Sequence, residues 1–469
     1  MNKVFRFFLI LACVASSFSL EAAWTYTETT WDNKGIGSGT ISDGKWNLSA
    51  SRIKKDSMEL KVYASQGKSS GPSELSPMDF SKIEGDFKVV EISVMFRDKF
   101  LGDWKKLISE LIAPDCTVLS ADNGYGFGGC SSLTNVVLNS ELPTLKSKSF
   151  VDCSGLVKFY PNELKVTSLP YMAFTNCKKL TGDFTFENLV SIDERAFDAC
   201  YSLKSITAPK LEKISARGFL NCTNLLYVKS ESLKSLGALA FSGCTALDFD
   251  LKDLLGPSLE YFGLTNKNVK ASSGSFLNCS SLNGPLVWDF PNLNPNIVHT
   301  NCFKNCTSLS SVVFKTPVDE IQDEAFAPIA PGAKIYMNKK VPKVFGARAI
   351  GNNVGKQNKG PYPKVYIDDS SLDEYLTVMG KNNCVIRKSE FNTWSGAVCG
   401  YEMTWSKIAG MMGKDDTVCS VASDVVSLIG EEKRNVSAFV IGAKGTKDTE
   451  IFCFWVIKKT RSGFSVVVR

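Results

Sequence analysis

FLNCTNLLYV, residues 219–228, places a phenylalanine, a cysteine and a leucine at intervals of three. The same pattern returns as FVDCSGLVKF (150–159), FDACYSLKSI (197–206), FLNCSSLNGP (276–285) and FKNCTSLSSV (303–312). A single such cysteine suggests a metal or redox site, whereas a cysteine that returns at a regular interval indicates a structural repeat. The choice between these two interpretations determines the fold.

The chain contains eight ordered copies of this pattern, at successive cysteine spacings of 23, 24, 23, 22, 22, 35 and 27 residues. Another apolar residue stands five positions before most of the phenylalanines, and Phe326, with Ile321 before it, is a ninth copy without cysteine. The repeated positions are Phe127, Cys130, Leu133, Phe150, Cys153, Leu156, Phe174, Cys177, Leu180, Phe197, Cys200, Leu203, Phe219, Cys222, Leu225, Phe241, Cys244, Leu247, Phe276, Cys279, Leu282, Phe303, Cys306 and Leu309.

A unit of this length is too short to bury its own apolar face, so equivalent units must stack into a solenoid with one continuous core. We expect a short strand after each leucine, with neighbouring coils about 4.8 Å apart and the repeated side chains directed inward. The longer spacings place insertions at 253–268 and 285–296. These insertions are of interest because loops carry function more often than the regular parts of a fold.

The phrase apolar-x-x-x-x-Phe-x-x-Cys-x-x-Leu, with Ala-Phe before the cysteine as in residues 195–200, resembles the BspA-like leucine-rich repeats of bacterial surface proteins. The resemblance covers about residues 120–335. It implies an α/β leucine-rich-repeat solenoid, rich in β-structure, with eight or nine coils. It also implies protein–protein binding, often adhesion, but it transfers no binding residue, because the shared positions are the ones expected to be buried.

The N-terminus is typical of an export signal. Lys3 and Arg6 precede an apolar run from Phe7 to Leu20, and Ala22-Ala23 offers a cleavage site, so residues 1–23 are interpreted as a signal peptide. The alternative is a lipobox at Ile10–Cys13, which would make Cys13 a lipidated residue, as in an outer-membrane lipoprotein. Secretion or attachment to the cell surface is predicted in both cases, and no segment is long enough to form a transmembrane helix.

The flanks of the repeat lack its pattern. Residues 24–118 are expected to form a β-rich unit with a hairpin at Asp43-Gly44 and a capping coil, and residues 101–112 show helical spacing before Pro114. Residues 119–369 are assigned to the solenoid and its C-terminal cap, with a short helix following in Ser370–Gly380. Residues 381–469 are expected to form a small β-domain.

The repeat cysteines are interpreted as buried free thiols, because equivalent side chains in stacked coils point the same way. Cys384, Cys399, Cys419 and Cys453 are better disulfide candidates in an exported chain. We expect no metal and no cofactor: His299, the single histidine, stands near Cys302 and Cys306 without an evident fourth ligand. The net charge is only +6, and no lysine or arginine block is present, which does not favour nucleic-acid binding.

Three functions remain open. The first is a non-enzymatic secreted or cell-surface protein that binds an extracellular protein, or a glycan, through the solenoid. The second is an envelope scaffold in which the solenoid is only a spacer. The third is a secreted hydrolase with carboxylates in the C-terminal domain, where Asp415-Asp416 and Glu431-Glu432 are more simply interpreted as solvated turns. We favour the first and expect no enzymatic activity.

Overall fold

The computed structural model describes the chain over residues 23–63, 69–93, 104–119, 126–142, 144–160, 165–263, 274–330, 333–346 and 349–350. Farther on it describes the backbone of six further strands and one strand at 364–366, together with Glu374 and Val378. The predicted signal peptide up to residue 22, including Cys13, and the side chains of the four C-terminal cysteines lie outside the described residues. Within them, no helix is long and apolar enough to cross a membrane.

The N-terminal region is built from strands and two short 3-10 helices, Glu84–Asp86 and Trp104–Lys106. Its strands are β1 (Thr25–Trp31), β2 (Gly37–Ser42), β3 (Asn47–Arg52), β4 (Glu59–Tyr63), β5 (Ser76–Asp79), β6 (Lys88–Ser93), β7 (Ile108–Ala113) and β8 (Val118–Leu119). Strands β1 to β4 form an antiparallel meander, and the predicted hairpin at Asp43-Gly44 is confirmed by the pairing of β2 with β3.

The meander continues into the coils without a break. Strand β4 pairs in parallel with β6, and β5 pairs in parallel with β7, so coil-to-coil pairing begins before residue 119. Trp24 and Trp46 are buried at this end of the core, and the indole Nε1 of Trp46 donates to the Pro77 carbonyl at 2.8 Å. The antiparallel strands therefore cover the open end of the solenoid, as a cap must.

The predicted helix over residues 101–112 is wrong. In the part of this segment that the structure describes, a 3-10 turn at Trp104–Lys106 leads into β7, which pairs with β5 on one side and with β9 (Asn135–Leu138) on the other. The apolar residues satisfied a helical period, but a short apolar run fits a strand equally well. The parallel neighbours on both sides form hydrogen bonds with the backbone of β7, and this pairing favours a strand over a helix.

The solenoid itself consists of short parallel strands joined by turns. Beyond β9 they are β10 (Lys158–Tyr160), β11 (Ser168–Leu169), β12 (Gly182–Thr185), β13 (Ser191–Ile192), β14 (Leu203–Thr207), β15 (Lys213–Ile214), β16 (Tyr227–Lys229), β17 (Ser235–Leu236), β18 (Tyr261–Phe262), β19 (Pro285–Trp288), β20 (Ile297–Val298), β21 (Ser311–Phe314), β22 (Glu320–Ile321), β23 (Lys334–Tyr336), β24 (Val344–Phe345) and β25 (Lys364–Tyr366).

Each coil contributes to two ladders of parallel strands. The first ladder contains β5–β7–β9–β10, then β12–β14–β16 and later β19–β21–β23–β25, and its strands from β9 to β21 are those at or after the repeat leucines. The second ladder precedes the repeat phenylalanine and contains β11–β13–β15–β17–β18 and later β20–β22–β24. Both ladders are interrupted at the long insertion after Cys244, where a 3-10 helix, Leu251–Asp253, takes the place of a first-ladder strand.

The third side of each coil is a turn that carries the phenylalanine and the cysteine. Backbone bonds join these turns from coil to coil, for example from Phe197 N–H to the Gly218 carbonyl at 2.9 Å and from Phe219 N–H to the Ala240 carbonyl at 2.8 Å. The described solenoid is thus β in character, and α-helical positions are found, within the described residues, only at Glu374 and Val378, inside the predicted helix 370–380.

The core of the solenoid is a column of nine phenylalanine rings from Phe127 to Phe326. Consecutive rings lie 5.2 to 5.9 Å apart between centroids and are tilted by only 2 to 9° from parallel. The separations fall in the range of favourable aromatic pairs. Nine rings correspond to nine turns, in agreement with the predicted eight or nine coils.

The C-terminal region is described by its backbone alone. It contains β26 (Ile386–Arg387), β27 (Ser395–Val398), β28 (Tyr401–Thr404), β29 (Val436–Ala443), β30 (Ile451–Thr460) and β31 (Gly463–Val468). Strands β29, β30 and β31 form consecutive antiparallel pairs, and β26 joins the other end of β30. The β-segments predicted here from sequence are therefore strands. The carboxylates of the hydrolase hypothesis lie outside the described residues.

Candidate binding face

The repeated residues supply no exposed chemistry. All 24 repeated positions are buried, with at most 3% of any side chain exposed. The ten described cysteines are free, and burial raises the pKa of the Cys116 thiol to about 12 and that of Cys222 well above its ordinary value. Since the thiolate is the reactive form, Cys116 and Cys222 are poor nucleophiles and poor metal ligands.

The repeat thiols have a structural partner instead. In seven successive coils the cysteine Sγ–H donates to the carbonyl of the phenylalanine one coil earlier, at 3.0 to 3.1 Å. The same carbonyl accepts the N–H of the cysteine in its own turn, as in Cys222 to Phe219 at 3.2 Å. Each of these seven cysteines therefore joins two adjacent coils by a weak hydrogen bond inside an apolar core.

The residue before each cysteine has a left-handed backbone, which sequence reasoning missed. Its φ lies between 59° and 82° in all eight turns. Glycine, asparagine and aspartate tolerate this conformation best, and they occupy seven of the eight positions, with Ala199 as the exception. The sequence contains a signal for this conformation, since the residue before the cysteine is glycine, asparagine or aspartate in seven of the eight copies. The eight residues are Gly129, Asp152, Asn176, Ala199, Asn221, Gly243, Asn278 and Asn305.

Metal binding at His299 is not supported by its surroundings. The imidazole is buried, with 7% exposed, and burial lowers its pKa below the ordinary value. Cys302 and Cys306 are buried thiols whose pKa values are raised by the same cause. No group of three or more metal-ligating side chains occurs among the described residues.

The aromatic residues of the long coils divide between core and surface. Trp288 and Phe262 are buried and meet at 5.3 Å between ring centroids, and the Trp288 indole donates to the Asn296 side chain at 2.8 Å. Tyr261 precedes Phe262 in the two-residue strand β18, points to the opposite face of that strand, and is 39% exposed. Of these three aromatic residues, only Tyr261 is therefore available at the surface.

Tyr261 belongs to a row of outward positions on the second ladder. Strand register aligns one outward residue from each of five coils: Ser168, Ser191, Lys213, Ser235 and Tyr261. The Ser191 hydroxyl donates to the Ser168 hydroxyl at 3.0 Å. The row thus passes from small hydroxyls to a cation and then to an aromatic ring at the end where the long insertion begins.

The last three coils of this row enclose an open depression of about 420 Å³, which we call the Tyr261 groove. Lys213, Ser235 and Tyr261 line it from the row, and Ser215, Gly237 and Glu194 line it from the adjoining turns. At Gly237 a Cβ would lie 2.4 Å from the backbone nitrogen of Ala216, so only glycine allows the coils to approach this closely.

The charges at the groove are unevenly paired. Glu194 lies 3.4 Å from Arg217 and 3.9 Å from Arg195, and Arg195 also reaches Asp198 at 3.5 Å. Burial raises the pKa of Asp198, and the two arginines lower it. Lys213 is exposed and forms no ion pair within the described part of the chain. The groove therefore offers one aromatic ring, hydroxyls and one lysine without an ion pair among the described residues to a partner.

Comparison with known proteins identifies the repeat. The model of the BspA type leucine rich repeat region matches residues 123–249 and 256–352, as six copies. Among solved structures, a leucine rich cell surface protein from Faecalibacterium prausnitzii A2-165 shares 17% identity, over 68% of this chain and 96% of that chain. Its TM-score is 0.33, too low to serve as an argument. None of the curated proteins matched the sequence.

Proposed function

Because residues 123–249 and 256–352 form a BspA-type leucine-rich repeat region, we propose that this chain is a non-enzymatic, secreted or surface-attached protein that binds an extracellular protein through the Tyr261 groove. The observation that supports the proposal is the contrast, within each coil, between the buried repeated positions and the outward positions. The repeated residues are all buried, whereas the outward positions of the second ladder differ from coil to coil and end in an exposed tyrosine beside a depression.

The residue types support a contact with another protein. Tyrosine is enriched among the residues that dominate interface energies, because it offers a large apolar surface together with a hydroxyl. The depression is large enough to receive one or two partner side chains, and Lys213 favours an acidic group among them. The N-terminal export pattern, although not described structurally, supports a partner outside the cytoplasm.

The test compares two tyrosines of equal exposure. Tyr261 and Tyr201 are each 39% exposed, but Tyr201 does not line the groove. Binding of the mature full chain to intact cells and to immobilised extracellular-matrix proteins is measured at 0.3 M salt, and again after the target is treated with protease. Saturable, protease-sensitive binding that weakens about thirtyfold in Tyr261→Ala, the effect of losing about 2 kcal/mol at a central tyrosine, supports the proposal.

Three outcomes would contradict it. Absence of saturable binding to every target would favour the spacer hypothesis, in which the solenoid only separates its two flanking regions. Equal weakening in Tyr261→Ala and Tyr201→Ala would mean that the groove is not the contact surface. Binding that survives protease but is lost after periodate oxidation of the target would replace the protein partner by a glycan.

A further inference from the structure

The C-terminal end of the solenoid has a charge unlike that of the rest of the chain. Between Ala325 and Ile367 the sequence contains seven lysines and one arginine and no acidic residue. Because the whole chain carries +6 and this stretch carries +8, the remainder carries −2. The excess of positive charge is therefore a local property of this segment.

Four of these lysines have side chains that the structure describes, and all four are exposed: Lys334, Lys339, Lys340 and Lys343. Lys334 points outward from β23, whose next residue, Ile335, is fully buried. Lys339 and Lys340 occupy the bend after β23, and Lys343 immediately precedes β24. We call these four residues the lysine edge.

The backbone of the lysine edge is fixed to the preceding coil. The Asn338 side-chain amide donates to the Lys315 carbonyl at 2.6 Å, and its oxygen accepts the Lys340 N–H at 3.0 Å. The Lys343 N–H donates to the Asp319 carbonyl at 2.8 Å. The bend thus holds its lysines on a pre-formed frame, which lowers the entropy lost when a ligand binds.

Three carboxylates of the preceding coil have partners within that part of the solenoid. An Asp319 carboxylate oxygen accepts the Asn296 N–H at 2.9 Å, Glu320 accepts from the Gln322 amide at 2.9 Å, and Glu324 is ion-paired with Lys304. Lys334 and Lys343 form no ion pair among the described residues. At least these two lysines of the edge are therefore available to an external anion.

We propose that the lysine edge binds an anionic polysaccharide outside the cell. Lysines act as hydrated point charges suited to a flexible anionic chain, whereas arginine predominates where phosphate is bound bidentately. Tyr336, on the outward face of β23 beside Lys334, is 37% exposed and offers a flat apolar ring to a sugar. A bilayer is a weaker fit, because an interfacial site needs several large apolar residues, and here Tyr336 and Val344 are the exposed ones among the described residues.

The test uses two quadruple variants of the full mature chain with equal charge change. Lys334→Gln, Lys339→Gln, Lys340→Gln and Lys343→Gln remove the lysine edge. Lys178→Gln, Lys179→Gln, Lys204→Gln and Lys210→Gln remove four exposed lysines from the middle of the solenoid. Binding to heparin, polygalacturonate and neutral dextran is measured at 50 and 300 mM salt, with 150 bp DNA and phosphatidylserine vesicles as competing classes.

The expected result is saturable binding of the wild-type protein to heparin or polygalacturonate but not to dextran. It weakens at least about tenfold in the edge variant and less than about threefold in the control, with a flatter salt dependence only in the edge variant. Unchanged thermal midpoints establish that both variants fold.

Equal losses in the two variants would reduce the effect to total charge and overturn the proposal. So would tighter binding to DNA or to vesicles, or absence of binding to any anionic polysaccharide at 50 mM salt. The lysine edge lies outside the Tyr261 groove, and Tyr261→Ala is expected to leave polysaccharide binding unchanged. The failure of one proposal is therefore distinguishable from the failure of the other.

Discussion

The phenylalanine column allows a quantitative prediction of how stacking between adjacent coils contributes to the free energy of unfolding. Phe219 is fully buried between Phe197 at 5.5 Å and Phe241 at 5.2 Å. Phe219→Leu keeps most of the apolar volume but removes two stacked pairs. Each pair is worth about 0.5–1.5 kcal/mol beyond its buried area, so we expect the free energy of unfolding to fall by about 1–3 kcal/mol.

The sharper part of this prediction is the coupling between rings. If each coil interacts only with its neighbours, Phe219→Leu and Phe241→Leu share one stacked pair and their effects should not add. The expected coupling is about 0.5–1.5 kcal/mol, whereas Phe174→Leu with Phe241→Leu, two coils farther apart, should be additive within about 0.5 kcal/mol. Urea unfolding followed by circular dichroism measures both cycles. Additivity of the adjacent pair, or equal coupling of the distant pair, would refute the nearest-neighbour description.

Three further predictions concern single residues. Gly243→Ala places a Cβ at a φ of +79° and 2.5 Å from the Asn221 side-chain oxygen, so it should reduce stability by about 1–2 kcal/mol. Gly256→Ala, which meets no atom within 4 Å, should leave the thermal midpoint unchanged or raise it slightly. Burial lowers the pKa of His299 in the folded state, so on acidification the unfolded chain takes up the imidazole proton at a higher pH than the folded chain does. The free energy of unfolding should therefore fall as the pH drops below about 6.5. His299→Gln, at the only histidine in the chain, should remove this slope between pH 6.5 and 5, and a slope that persists would assign it to other groups.

The repeat could be predicted from sequence because its determinants are local and periodic. Phe219, Cys222 and Leu225 define a coil by spacing alone, and the same spacing returns often enough to exclude coincidence. The hairpin at Asp43-Gly44 is equally local, since the Asp43 carboxylate accepts the backbone N–H groups of Lys45 and Trp46 within the turn. Such features need no knowledge of what lies beside them.

The errors and omissions of the sequence-based prediction occur where contacts between segments distant in sequence determine the local structure. The segment before Pro114 satisfies a helical period, but its partners β5 and β9 impose a strand, and neither partner is adjacent in sequence. The Tyr261 groove was missed for the same reason. Its lining residues, from Glu194 to Tyr261, come from several coils, and only strand register brings them to one place.

The lysine edge was missed because a net charge of +6 averages over the whole chain. Counting charges in blocks of consecutive residues also fails, since strand alternation separates Lys334 from Lys339 by a buried isoleucine, Tyr336 and two further residues. The informative feature is that a whole terminal coil contains no acidic residue. This feature can be recognised only once the boundaries of that coil are known.

The cysteine of FLNCTNLLYV illustrates how a solenoid selects residue types. The position between stacked coils is small, apolar and close to a carbonyl, and Cys222 fills it while donating to Phe197 at 3.0 Å. Serine would donate more strongly but would bring a more polar group into the core, and valine would leave the carbonyl with one partner fewer. In the ninth turn Ile329 pairs with Cys306 at the corresponding place and is buried without a donor. Ile329 therefore shows that an apolar side chain can also fill this position, without the hydrogen bond that a thiol donates to the preceding coil.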